Sequence, residues 1–214
     1  MKFYGYFRSS SSYRCRIAFN LKGLDYDFEC VHLKRGAQKS PEFAALNPQK
    51  LLPALVTDAG DTITQSLAIV EWLDETYPNP PLLPADITTR ARVRAFAQMI
   101  ACEIHPLQNL RVLQYLGAEL NADADQTSAW LARWLGDGLR ACEDVLTQFG
   151  TDTDFAFGDT PGLADLCLVP QLFSAERFGV DTSALTRLNT IYKNCSALAA
   201  FADAHPAKQP DFEP

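Results

Sequence analysis

Histidine is scarce: the 214 residues hold three, His32, His105 and His205, far apart in the chain. That spread weakens any metal hypothesis, and no zinc site is signalled. Six cysteines occur, none in a Cys-x-x-Cys pair, and several sit among Leu, Val and Ile as reduced core residues do. A disulfide framework is not indicated. Basic charge is also short, 19 Lys and Arg against 26 Asp and Glu for a net charge of −7, which argues against holding nucleic acid through a global basic field. Long apolar runs are missing too, at the start and later in the chain, so neither a signal peptide nor a bilayer span is expected. The expectation is a soluble cytoplasmic protein with no metal and no membrane or nucleic-acid partner.

What is present can build a core, since hydrophobic residues make up 47% of the chain, enough for one large domain or two small ones. The most informative stretch is Arg8-Ser9-Ser10-Ser11-Ser12-Tyr13-Arg14-Cys15-Arg16-Ile17-Ala18-Phe19. Phe3, Tyr4, Tyr6 and Phe7 predict a strand before it, and Ile17, Ala18 and Leu21 predict a helix running to Gly23. A strand feeding a helix through small hydroxyl residues is an anion cradle, because first-turn N–H groups lack partners and the helix dipole is positive there. The same serines could equally be a plain helix cap. Arg8, Arg14, Arg16, Arg111 and Arg177 are candidates for an anionic small-molecule site, each against the alternative of a solvated or ion-paired arginine.

Residues 26–33 alternate as a second strand, and Ser40-Pro41 reads as cap and first residue of a short helix ending before Asn47-Pro48. Pro53 belongs at the start of the strand Ala54-Leu55-Val56. A cis Leu52-Pro53 bond would turn the Leu52 backbone outward as an edge for an extended peptide. Asp58 to Asp61 make a hairpin turn, and Gln65-Ser66 opens a further helix. Four prolines between Tyr77 and Asp86 mark a linker, after which the apolar spacing is helical throughout. The organisation expected is therefore 1–78, a linker at 79–86, and an all-helical domain at 87–214. Pro106 should kink the first long helix near residues 101–105. On a regular helix His105 and Asn109 share a face, with Arg111 about 120° round from His105. The polar tail from His205 to Pro214 reads as draped or loose.

Strand, helix, strand, helix, strand, strand, helix, with Pro53 and Gln65-Ser66 in these places, resembles the thioredoxin-like domain of glutathione transferases. The run from Arg8 to Phe19 resembles the zeta-class signature Ser-Ser-Cys-Ser-Trp-Arg-Val-Arg-Ile-Ala-Leu, carried by maleylacetoacetate and maleylpyruvate isomerases. Further matches are Ala45-Leu46-Asn47-Pro48, Pro106-Leu107-Gln108-Asn109-Leu110, Ala164-Asp165-Leu166-Cys167 and Ala175-Glu176-Arg177-Phe178. Ser11 departs from the usual cysteine, Tyr13 from tryptophan, His105 from glutamine, and Gly162 from a Thr or Ser cap.

The resemblance implies an α/β plus all-α fold, a thioredoxin-like βαβαββα domain followed by an all-helical one, and a homodimer. It implies glutathione as cofactor, held by Ser9, Ser10, Ser11, Gln38, Leu52, Pro53, Gln65, Ser66, His105 and Asn109. The reaction implied is cis–trans isomerisation of a maleyl keto acid, most simply maleylacetoacetate to fumarylacetoacetate in aromatic amino-acid catabolism. Thiolate would add to the conjugated double bond, the bond would rotate, and thiolate would leave. Ser9 or Ser10 would steady the thiolate, and Arg8 and Arg177 would act on the dicarboxylate, with Arg111 as a further substrate contact. Maleylpyruvate isomerase, a conjugating transferase and a non-catalytic binding protein stay open beside this reading. A thiol-disulfide reductase is disfavoured, because Cys15 lies about a turn too far into the helix.

Overall fold

The computed structural model describes residues 1–213. It divides into two compact units, one formed by Met1–Leu82 with the segment from Leu198 onward, the other by Leu83–Ala197.

In the first unit the order is β1 (Lys2–Gly5), α1 (Ser10–Lys22), β2 (Asp27–Cys30), α2 (Pro41–Leu46), β3 (Ala54–Val56), β4 (Thr62–Thr64) and α3 (Ser66–Thr76). The sheet runs β2-β1-β3-β4. β1 is parallel to β2, with Phe3 opposite Phe28, and antiparallel to β3, with Phe3 opposite Leu55. Phe3, Ile17, Phe19, Leu55, Ile69 and Leu73 are fully buried between sheet and helices. Phe3 meets Phe19 edge-on at 5.4 Å between centroids, the favoured aromatic geometry. Gly23, at φ 63°, ends α1 in the left-handed conformation that glycine adopts without a Cβ penalty.

α1 has no solvent face, since every residue from Ser10 to Phe19 is buried. Its polar side chains must therefore find internal partners. Arg16 donates to the carbonyls of Phe7 and Ala204, both at 3.0 Å, and of Tyr6 at 3.4 Å. Lys22 donates to Asp74 at 2.6 Å and to the carbonyls of Tyr77 and Pro80 at 2.7 and 2.6 Å, fixing the start of the proline-rich segment.

The division falls at Leu82–Leu83, inside the linker expected at 79–86, and the chain from Leu198, expected in the helical domain of 87–214, packs with the sheet unit. The physical reason is visible in α1, where Arg16 and Asn20 donate to Ala204 and Ala200. The tail is tied down rather than loose. Asp211 accepts the Phe7 N–H at 2.9 Å, and Phe212 packs edge-on against Phe7. Pro214 lies outside the described residues.

The second unit holds α4 (Ile87–Gln98), α5 (Leu110–Ala118), α6 (Ala124–Phe149), α7 (Leu163–Arg177) and α8 (Thr186–Ser196), and α9 (Ala199–Ala204) returns the chain to the first. Phe96, Ile100, Leu135, Leu139, Leu166, Leu188 and Ile191 form its core. Pro106 lacks an N–H, and the ladder before it widens: Met99–Ile104 is π-helical and His105–Gln108 a 3-10 turn. The expected disturbance is present, but it ends the helix rather than kinking it. Asn109 has extended backbone and caps α5, so the shared face drawn for His105 and Asn109, and the 120° set for Arg111, do not apply.

Buried Asp165 organises the entry to α7. Its Oδ1 accepts the Ala156 N–H at 3.0 Å and its Oδ2 the Gly162 N–H at 2.9 Å, so the cap residue's own N–H is satisfied from inside the helix although glycine offers no side-chain acceptor in return. Burial pushes its pKa from 3.8 up to about 6, against the pull of those N–H groups and of Arg187.

Candidate functional site

β1 leaves the sheet through a tight turn in which the Ser9 N–H bonds to the Tyr6 carbonyl at 3.0 Å. Ser9 then caps α1, its Oγ accepting the Ser12 N–H at 3.2 Å. Ser9 Oγ and Ser11 Oγ lie 3.1 Å apart, and Ser11 Oγ donates to the Leu52 carbonyl at 3.1 Å. Ser11 has one hydroxyl proton, committed to Leu52, so Ser9 is the donor within the pair. The structure thus brings Ser9, Ser11 and Leu52 together in a chain of donors ending on the segment before β3. The plain-cap reading of the serines is also realised, at Ser9. Ser10 is the buried first residue of α1, and Arg8 is half-buried in the turn before it.

Leu52-Pro53 is cis. Ser11 occupies one lone pair of the Leu52 carbonyl and leaves the other for a further donor. Gln65, before α3, has φ 71° and ψ 119°, an uncommon conformation for a residue with a Cβ and one that costs about 1–3 kcal/mol. Such strain persists where the surroundings impose it. The Gln65 side chain bonds to Gln49 at 2.7 Å. Ser66 is buried at the first position of α3, and its Oγ accepts from Arg14 Nη1 at 3.2 Å. Gln38 sits in a 3-10 turn (Ala37–Lys39) with its Oε1 buried and without a partner among the described residues.

Four candidates fall in the helical unit. His105 is half-buried in the 3-10 turn. Asn109 uses its Oδ1 to cap α5 through the Arg111 N–H at 3.2 Å, leaving its amide NH2 as its further donor. Arg111 is exposed in the first turn of α5, and exposed Arg177 closes α7 with its guanidinium 4.1 Å from the Phe178 ring centroid.

Among the arginines offered for an anion, Arg16 is corrected to a structural role, since carbonyl groups take its donors. The contact of Arg14 with Ser66 was not legible, as the two lie 52 residues apart. Among the described residues no group of three or more His, Cys, Asp or Glu could hold a metal ion. No helix in them is long and apolar enough to cross a membrane.

The family model for the glutathione S-transferase N-terminal domain matches residues 8–76, the segment that carries the seryl turn, Leu52-Pro53 and Gln65-Ser66. The first unit is therefore of the glutathione transferase class. The chain is 48% identical over 213 residues to the maleylacetoacetate isomerase of Pseudomonas aeruginosa, covering 99% of this chain and 98% of that one. A holo structure of maleyl pyruvate isomerase, described as a bacterial zeta-class glutathione S-transferase, superposes with TM-score 0.95 at 45% identity over 99% of both chains. A maleylacetoacetate isomerase from Methylobacterium extorquens AM1, solved with malonate and glutathione, superposes with TM-score 0.94 at 40% identity over 98% of both. This chain belongs to the zeta-class glutathione transferase family that contains the maleylacetoacetate and maleylpyruvate isomerases.

Proposed function

We propose that the protein is a glutathione-dependent cis–trans isomerase acting on a maleyl keto acid, with maleylacetoacetate to fumarylacetoacetate as the first assignment. The observation that carries this reading is the Ser9–Ser11–Leu52 chain at the N-terminus of α1. The residues fit glutathione in three ways. Leu52 offers a backbone edge for an extended tripeptide; Gln65 and Ser66 at the start of α3 suit its γ-glutamyl carboxylate. The buried, unpartnered Gln38 Oε1 suits a ligand N–H. When bound, glutathione supplies a thiol that adds reversibly to an electron-poor alkene and is regenerated.

The chain's own part is electrostatic. Ser9 holds its hydroxyl at the positive end of α1 and can turn its proton from Ser11 to an incoming anion, an arrangement that lowers thiol pKa. Ser10 shares the turn and is the alternative donor. Arg8 and Arg177 are assigned the substrate carboxylates and the charge that develops on the keto oxygen, with Arg111 as a further contact, because a guanidinium binds carboxylate in bidentate fashion. His105 and the Asn109 amide are assigned to the ligand's polar groups. A cytoplasmic homodimer is the expected working state, supported by the family resemblance; sedimentation tests it.

The likeness to a maleylpyruvate isomerase favours a second reading in which maleylpyruvate is the natural substrate. Loss of maleylacetoacetate and of maleylpyruvate, each followed with sub-stoichiometric glutathione, decides between them by kcat/KM. Turnover that continues without glutathione would reject the mechanism. Consumption of glutathione with an electrophilic aromatic, and no isomerisation, would make the protein a conjugating transferase.

A further inference from the structure

Arg14 and Arg16 lie two residues apart in α1 and are equally buried, at 1% exposure each, yet their surroundings differ in kind. Arg16 is surrounded by carbonyl acceptors. Arg14 donates from Nη1 to the neutral Ser66 hydroxyl, and its Nε and Nη2 have no partner among the described residues. Burying a guanidinium is costly unless an anion and hydrogen bonds compensate. A residue kept there only to hold the fold would be expected to have the partners that Arg16 has. The missing compensation lies beside the first turn of α3, an 11-residue helix whose N-terminal N–H groups have no acceptor within the helix.

We propose that Arg14 is a positioning residue for an anionic ligand group at the start of α3. Its Nη1 occupies a lone pair of Ser66 Oγ, so the Ser66 proton is directed away from Arg14 and toward an acceptor at the helix end. Its charge lies behind that hydroxyl and favours a carboxylate over a neutral group of the same shape. This assignment rests on the glutathione reading, under which the carboxylate is the α-carboxylate of the γ-glutamyl residue. Arg14 contacts Ser66 rather than the reacting atoms, so it should govern how tightly glutathione binds and leave the rate at saturation alone.

The test is calorimetric binding of two probes: glutathione, and 4-aminobutanoyl-cysteinyl-glycine, which lacks only that α-carboxylate. Wild type should bind glutathione at least tenfold more tightly than the analogue. Arg14→Met should weaken glutathione tenfold or more and the analogue less than twofold, and should raise the KM for glutathione with kcat at saturation within twofold. Equal weakening toward both probes, or none toward glutathione, overturns the proposal. If Arg14→Met does not fold, Arg14→Lys supplies the comparison, with a loss of threefold or more expected for glutathione alone and the same overturning results. A wild-type protein that binds neither probe overturns the glutathione reading, and this assignment with it.

Discussion

Asp165 makes a stability prediction that can be worked to a magnitude. It is fully buried, and burial raises its pKa from 3.8 to about 6. The folded state therefore holds this proton more tightly than the unfolded chain. The stability that the protonated carboxyl contributes is fully present below pH 3.8 and is lost as pH rises through about 6. The gap between the two values is worth about 3 kcal/mol, at about 1.4 kcal/mol per pKa step, and linkage places about half of it between about pH 5 and 7.5. Asp165→Asn cannot ionise, but it presents an NH2 group to one of the two N–H donors that the carboxylate now accepts. An orphaned buried N–H costs about 1–3 kcal/mol. The variant should thus be clearly less stable than wild type at pH 5. Its deficit should shrink by about 1.4 kcal/mol by pH 7.5, because wild type alone bears the ionisation cost. Urea unfolding of both proteins across that range, followed by circular dichroism, measures the gap. A gap that stays constant, or that widens with pH, would refute the reasoning.

Other perturbations follow from named contacts. Gly138→Ala in α6 would place a Cβ 2.5 Å from Ile104 Cγ1; in a packed core the variant should lose about 1–3 kcal/mol in urea unfolding. Arg16→Met would leave the Phe7 and Ala204 carbonyls without their donor, while Tyr6 keeps the Ser9 N–H; a loss of about 2–5 kcal/mol is expected, with the C-terminal segment becoming sensitive to protease. Glu143 accepts the Arg187 and Leu188 N–H groups at 2.8 and 2.9 Å and so caps α8. Glu143→Ala should cost about 1–2 kcal/mol in thermal unfolding. Ser9→Ala removes the α1 cap and should cost about 1 kcal/mol of stability; the isomerisation rate should fall at least tenfold at neutral pH and recover in part as pH rises.

Local features were legible in the sequence because they depend on neighbours a few residues away. Ser40-Pro41 announces α2 through the hydroxyl that accepts the Phe43 N–H, and Ser9 announces α1 in the same way. Pro106 announced a break, but a missing donor does not say how the ladder closes around it. The π-helical turn and the 3-10 exit, and with them the loss of the His105–Asn109 face, were out of reach. Arg14 and Arg16 are alike in sequence, and their separate roles depend on Ser66 and on Ala204, 52 and 188 residues away. The choice between a draped and a loose tail was out of reach for the same reason, since Asp211 meets Phe7 only in the folded chain. The shared lesson is one of range: caps and turns are read locally, whereas the partners of buried polar groups are not.

The central claim is that the seryl turn before α1 holds a tripeptide thiol as its anion. The most direct measurement is the pH titration of the ultraviolet thiolate band of glutathione bound to wild type, to Ser9→Ala and to Ser10→Ala. The account predicts a thiol pKa well below that of free glutathione in wild type, returning toward the free value in at least one of the two variants. A bound thiol that titrates as it does in solution, or a lowered value that survives both substitutions, would contradict it.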